Sequence, residues 1–253
     1  PHVIAGPVAI EGARPGDSLA VDVLDLELPA PFGHCLFVPG AGLLPDEFDE
    51  QYVHSFVFTD GFAPLTPSVR VPLEPFCGIM GVAPAAPGPH ATIPPRRVGG
   101  NLDVRDLTVG ARLMLPIEVE GGLFSCGDGH AAQGDGEVCV TAIETAIRAT
   151  LRLTVLSGVD VGAPRFVSSP RRVDRGTKGW FGTCAAGENL LDCSRQAIKD
   201  MIGYLVVERG LTRREAYVLC SIAADLRISE VVNSPSYVVT AQLPLDVFHE
   251  EAA

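Results

Sequence analysis

Strand-length segments rich in Val, Ile and Thr, set off by glycine and proline, fill the first three-quarters of the chain, and helical periodicity appears only near its end. That order restricts the fold to a mainly β body with a small C-terminal α/β addition. The clearest strand runs from Arg112 to Glu120, where Leu113, Leu115, Ile117 and Val119 alternate with Arg112, Met114, Pro116, Glu118 and Glu120. Such alternation buries one face and leaves the other polar. The turn Ala13-Arg14-Pro15-Gly16-Asp17 leads into a strand from Val21 to Leu28, whose apolar phase slips at Val23-Leu24 as a β-bulge would make it. The segment from Val138 to Leu156 reads as strand, with Ala142, Ala146 and Ala149 keeping a helix open. Proline crowds the stretch from Ala83 to Pro95, the mark of a long surface loop.

Near the end, Ala197, Ile198, Met201, Ile202, Leu205 and Val206 recur at helical spacing, with Asp192 or Ser194 as N-cap and Gly210 as the stop. Thr212 to Glu215 is a capping box that opens a second helix through about Leu226. Two adjacent amphipathic helices are expected to cover a sheet, which Ile228 to Val232 and Tyr237 to Leu243 supply on either side of a Ser234-Pro235 turn. The mainly β part is assigned to residues 1–165 and the α/β part to 166–253, within a single domain of 1–253.

Composition removes several function classes. With 19 basic against 31 acidic residues the formal charge is -12, and no basic stripe is present for a phosphate backbone, so nucleic acid is excluded as a partner. No apolar run reaches the ~18 residues of a membrane span, and the Pro1 start shows neither an initiator Met nor a signal segment. A soluble, cytoplasmic protein is expected, its own N-terminus lying outside this sequence. The seven cysteines, at 35, 77, 126, 139, 184, 193 and 220, show no Cys-x-x-Cys spacing, which fits a reducing compartment. Most read as small core residues, and Cys126 is a separate candidate nucleophile.

The chemistry concentrates in Gly127-Asp128-Gly129-His130-Ala131-Ala132-Gln133-Gly134-Asp135-Gly136-Glu137, which packs three carboxylates, an imidazole and an amide into one glycine-laced bend. Carboxylate oxygens with a neutral imidazole suit zinc, and carboxylates alone suit calcium or magnesium. The glycines let neighbouring side chains converge or a small substrate approach. An ordinary hairpin turn is the competing reading, because Gly and Asp dominate turns as well. The register of a calcium EF-hand is absent.

These motifs, taken in order, resemble the acetamidase/formamidase family of amide hydrolases. The matching text is Pro75-Phe76-Cys77-Gly78-Ile79-Met80-Gly81-Val82-Ala83-Pro84, Pro94-Pro95-Arg96 followed by Gly99-Gly100-Asn101-Leu102-Asp103, Leu115 to Ser125, the Gly127 to Glu137 bend, Glu215-Ala216-Tyr217, Asp225 to Ile228 and Val231-Val232-Asn233. The resemblance covers nearly the whole chain. It implies two packed antiparallel sheets of jelly-roll-like character, a homodimer or higher homo-oligomer, and hydrolysis of a small carboxamide to ammonia and the acid. The family includes a γ-lactam hydrolase, and its members carry a further segment before the part matching Gly6-Pro7.

Amide hydrolysis requires a nucleophile, a site for the oxyanion and a proton for the departing amine. A Cys-Glu-Lys or Ser-Ser-Lys set needs a lysine, and the only lysines are Lys178 in a glycine-rich loop and Lys199 inside a helix, both read as surface residues. Metal-activated water is therefore favoured. Asp128, His130 and Asp135 are the expected ligands of a divalent ion, zinc with calcium as the alternative. Glu137 is expected as ligand or general base, Asp103 as a further catalytic carboxylate, and Asn101 as an oxyanion donor or a left-handed turn residue. His54 is a lesser candidate for the metal shell, and His2, His34, His90 and His249 read as surface or capping residues. The competing class is a non-catalytic calcium- or sugar-binding β-sandwich, with an inactive family member as a third possibility.

Overall fold

The computed structural model describes residues 2–169 and 177–249. In chain order the strands are β1 (Ile4–Val8), β2 (Ser18–Glu27), β3 (Phe32–Phe37), β4 (Tyr52–Val57), β5 (Phe62–Thr66), β6 (Val69–Pro72), β7 (Phe76–Gly81), β8 (Gly99–Asn101), β9 (Arg112–Pro116), β10 (Phe124–His130), β11 (Arg148–Leu156) and β12 (Arg165–Val167). There follow β13 (Trp180–Gly187), α1 (Leu190–Arg209), α2 (Arg213–Ala223), β14 (Asp225–Glu230) and β15 (Tyr237–Pro244). The protein is mainly β, built of several antiparallel sheets with two helices, as its sequence pattern requires. Among the described residues no helix is long and apolar enough to cross a membrane.

The chain divides into two compact units, each assembled from three separate stretches. The first takes the chain up to Ala30, Glu74–His130 and the described residues from Thr145 to Ser169. It contains two four-stranded sheets, ordered β1-β10-β7-β8 and β11-β2-β9-β12. Leu19, Val21 and Val23 of β2, with Leu113 and Leu115 of β9, share a buried cluster with Cys77 and Met80 of β7 and Phe124 of β10. Burial of side chains this size contributes about 1.5–3 kcal/mol each, which fixes the facing of the two sheets.

The predicted slip at Val23-Leu24 is present. Leu151 of β11 pairs with Val23 and Thr150 with Asp25, so Leu24 has no partner and bulges out. β9 ends at Pro116, four residues short of the predicted strand, because proline has no N–H to continue a ladder. The Val138–Leu156 strand is shorter than predicted and starts at Arg148. Val140 adopts φ 107°, outside the β region open to a residue with a side chain, and the backbone from Ala131 to Glu144 belongs to the second unit.

The second unit takes Pro31–Leu73, Ala131–Glu144 and the described residues from Thr177 on. It holds the β3–β4 and β5–β6 hairpins and the sheet β13-β15-β14, against which α1 packs, with α2 beside α1. The N-cap of α1 is Asn189, earlier than predicted, whose side chain accepts from the N–H groups of Leu191 and Asp192. Gly210 ends the helix in the left-handed region as expected. The Thr212–Glu215 capping box is formed, and α2 stops at Ala223, where β14 begins two residues on. Fully buried Tyr217 of α2 stacks on Phe48 with ring centroids 5.1 Å apart. Its hydroxyl donates to the Val138 carbonyl at 2.5 Å and accepts the Leu44 N–H at 3.1 Å.

Candidate active site

The glycine-laced bend is not one loop. Its first part, Gly127 to His130, is the end of β10, paired with β7 so that His130 lies opposite Phe76 and Gly129 opposite Cys77. Two of its glycines make room for backbone. A Cβ at Gly127 would sit 2.6 Å from the Val3 carbonyl oxygen, and one at Gly129 would sit 2.6 Å from that of Thr145. These glycines build the sheet, and the room for a ligand comes from elsewhere.

That room is supplied by Gly78 on β7. A Cβ added there would lie 2.6 Å from Asp103 Oδ1, 2.9 Å from Asp128 Oδ2 and 2.9 Å from His130 Cε1. Three candidate residues from two separate motifs therefore meet over one bare α-carbon in the first unit. His130 is 1% exposed, and its ring stands perpendicular to that of Phe76, with centroids 5.0 Å apart at 85°. Its Nε2 stands 3.6 Å from Asp128 Oδ2, too long for a hydrogen bond. Ligand bonds of about 2.0–2.1 Å at tetrahedral angles put two donor atoms roughly 3.3 Å apart, close to what is seen. A carboxylate oxygen of Asp103 lies within 4.8 Å of a ring nitrogen of His130. Two carboxylates and an imidazole are donors of the kind that suit zinc.

Backbone strain marks two of these residues and one further candidate, Glu137. Asp103 has φ 49°, Asp128 φ 59° and Glu137 φ 43°, half of the non-glycine residues with positive φ among those described. Such residues cost of order 1–3 kcal/mol each and cluster at functional sites. Burial raises the Asp103 carboxyl to about 6, with His130 and His2 opposing the rise and the nearby Asp128 charge adding to it.

Asn101 in β8 donates from Nδ2 to Asp103 Oδ2 at 2.8 Å, and its buried Oδ1 has no hydrogen-bond partner among the described residues. It therefore holds the Asp103 carboxylate in place. Asp135 and Glu137 belong to the second unit, where the Asp135 N–H donates to Asp225 Oδ1 at 3.2 Å and the Glu137 N–H to the Gly134 carbonyl at 3.2 Å. Gly134 is packed against the Ala224 carbonyl closely enough to leave no space for a side chain. His54 sits in the β3–β4 hairpin between Tyr52, 3.3 Å from its Nδ1, and the Phe56 ring. Lys199 pairs with Glu47 at 2.5 Å and Lys178 Nζ donates to the Phe248 carbonyl, so both lysines serve the surface of the second unit. Half-buried Cys126 is paired with the more buried Cys77, whose thiol donates to it and lowers it to about 7 while Cys77 itself rises.

Two contributors escaped the sequence reading. Gly78 stood only within the family-like text Pro75 to Pro84, which gives no sign of what would approach it. His2 is half-buried, acts electrostatically on Asp103, and donates its backbone N–H to Thr92 Oγ1 at 3.5 Å. A lone histidine with no carboxylate beside it in sequence carries no signal of that kind.

A carboxylate–imidazole cluster on a β scaffold defines a candidate hydrolytic metal centre. Known proteins sharpen this. The acetamidase/formamidase family model matches residues 1–91 and 85–250, and this chain belongs to that family. It is 28% identical to a formamidase from Methylophilus methylotrophus, over 98% of this chain and 77% of that protein. An acetamidase from Mycolicibacterium smegmatis is 29% identical over 54% of this chain and 49% of its own length. Among solved structures, a γ-lactamase from Delftia acidovorans matches with TM-score 0.90 at 25% identity, covering 98% of this chain and 77% of that one. An acetamidase from Bacillus halodurans matches with TM-score 0.64 at 32% identity, covering 96% and 78%. Membership of this family makes the chain an amide hydrolase.

Proposed function

We propose that the protein hydrolyses small carboxamides of the formamide and acetamide kind to ammonia and the carboxylic acid, using water activated at a divalent cation. The observation that carries this reading is the meeting of Asp103, Asp128 and His130 over Gly78. Asp128 and His130 are the proposed ligands, with the Asp103 carboxylate beside them. A bound zinc or similar ion would supply a nucleophile at neutral pH by lowering the pKa of its water and would polarise the carbonyl. Asn101 positions Asp103, and its remaining N–H is the proposed donor to the oxyanion. Glu137 is proposed as the base that accepts the proton from water and passes it to the departing nitrogen, an assignment supported by the sequence alone. The seven cysteines are free thiols, which supports a reducing, cytoplasmic setting, and a homo-oligomer is proposed from the family resemblance.

A second reading, opening of a γ-lactam ring, is supported by the overlap with the Delftia protein. Ring opening yields an amino acid and no ammonia, so the two readings separate in one assay. Elemental analysis of the purified protein is paired with ammonia release from formamide and acetamide before and after chelation, and with the His130→Ala variant. Loss of activity on chelation, its return with metal, and an inactive variant are expected. Full activity in rigorously metal-free protein overturns the metal-based mechanism and redirects attention to Cys126.

A further inference from the structure

The chain leading into β1 brings a second imidazole to the carboxylate cluster. Ile4 pairs with Gly127 of β10, and the Val3 carbonyl oxygen lies 2.6 Å from the place of a Cβ on Gly127. The residues just before β1 therefore run beside the end of β10 that carries Asp128 and His130. Val3 is 91% exposed and faces solvent, whereas the neighbouring His2 is half-buried. Its ring acts electrostatically on Asp103. Its Nδ1 is shut off from solvent and has no hydrogen-bond partner among the described residues. The His2 backbone N–H donates to Thr92 Oγ1 at 3.5 Å, which ties this stretch to the same unit.

A buried ring nitrogen without a partner carries a desolvation penalty, and beside a reacting centre a bound molecule can supply the missing partner. Among the described residues His2 belongs to no trio of donor groups close enough to share one ion, so a place among the ligands of a cation does not account for it. What remains for its imidazole is to hydrogen-bond a molecule held at Asp103, Asp128 and His130. We infer that His2 is a substrate-binding residue, whose Nδ1 hydrogen-bonds the amide group of the carboxamide and orients it over the cluster. A primary amide offers N–H donors and a carbonyl acceptor, so either tautomer of the ring finds a counterpart. This assignment rests on the amide hydrolysis proposed above.

The test compares the full chain with its His2→Phe and His2→Asn variants in three quantities: acetamide binding by ligand-observed NMR titration, kcat/KM for ammonia release from acetamide, and metal content. Phenylalanine keeps a planar ring and removes both nitrogens. Asparagine places an amide oxygen or nitrogen near the position of Nδ1 and can accept or donate. His2→Phe should weaken acetamide binding and lower kcat/KM by at least about fivefold, the worth of one hydrogen bond, with melting curve and metal content unchanged. His2→Asn should recover most of both losses, which a merely structural role for the ring would not allow. A folded His2→Phe within about twofold of the parent in both quantities overturns the assignment. So does a loss that His2→Asn leaves uncorrected, or one that accompanies a fall in metal content. If acetamide is hydrolysed and His2→Phe makes no difference, the assignment fails and the hydrolysis stands. Acetamide binding that depends on His2, without ammonia from any amide, supports the assignment and sinks the hydrolysis. A chain that neither binds nor cleaves acetamide overturns both.

Discussion

Gly78→Ala isolates the geometry on which the proposed chemistry depends. The Gly78 backbone is not left-handed, so alanine meets no torsional objection there. The added methyl would sit at 2.6 Å from Asp103 Oδ1 and 2.9 Å from both Asp128 Oδ2 and His130 Cε1. To restore ordinary contact each group must retreat by about half an ångström or more, on the scale at which positioned groups lose function. His130 is buried against Phe76 and Asp103 is held by Asn101, so the shift falls on atoms already fixed by their neighbours. A misplacement of this order costs up to about a hundredfold in rate, or about 2.7 kcal/mol of transition-state stabilisation. Overpacking should lower stability by about 1–3 kcal/mol, leaving most of a typical domain's margin. Initial rates of ammonia release give kcat/KM, and thermal unfolding gives the fold. A folded Gly78→Ala protein with kcat/KM within about threefold of the parent would refute the convergence of these three side chains as the reacting centre.

Two further outcomes test the second unit. Tyr217→Phe leaves the Leu44 N–H and the Val138 carbonyl without the hydroxyl that joins them, and a loss of about 1–3 kcal/mol in denaturant unfolding is expected; no change would mean the pair finds water instead. Hydrogen bonding from Lys199, and the Lys199 and Arg213 charges, hold the Glu47 carboxyl below its ordinary range, so its stabilisation is full above the unfolded glutamate pKa and is lost as pH falls through the folded one. Glu47→Gln should therefore cost up to about 1 kcal/mol at pH 7 and progressively less as the pH falls through the folded pKa, and a difference that does not shrink in acid contradicts the ion pair as its source.

Signals set by a few adjacent residues were legible in the sequence. The Thr212–Glu215 box, the Gly210 stop and the slip at Val23-Leu24 each depend on local hydrogen bonding or side-chain phase, and all three are present. The end of β10 was misread as a bend because its glycines suggested a turn, when they are required by the Val3 and Thr145 carbonyls, distant in sequence. Asn189 was missed as N-cap because α1 begins about two turns before its apolar periodicity becomes clear at Ala197. Asp128 and His130 could be nominated from sequence because they are two residues apart. Asp103 entered as a carboxylate in a second glycine-rich turn, and its company with them is created by β8 lying beside β7 and β7 beside β10.

The left-handed backbone of Asp128 has a bearing on how this protein can change over generations. Glycine is at ease in that conformation, asparagine and aspartate tolerate it, and most other residues do not. Replacement by asparagine would spare the scaffold and remove the negative charge, so a descendant could fall silent as an enzyme while remaining sound as a folded protein. Relatives bearing asparagine at that place are where non-catalytic descendants should first be sought.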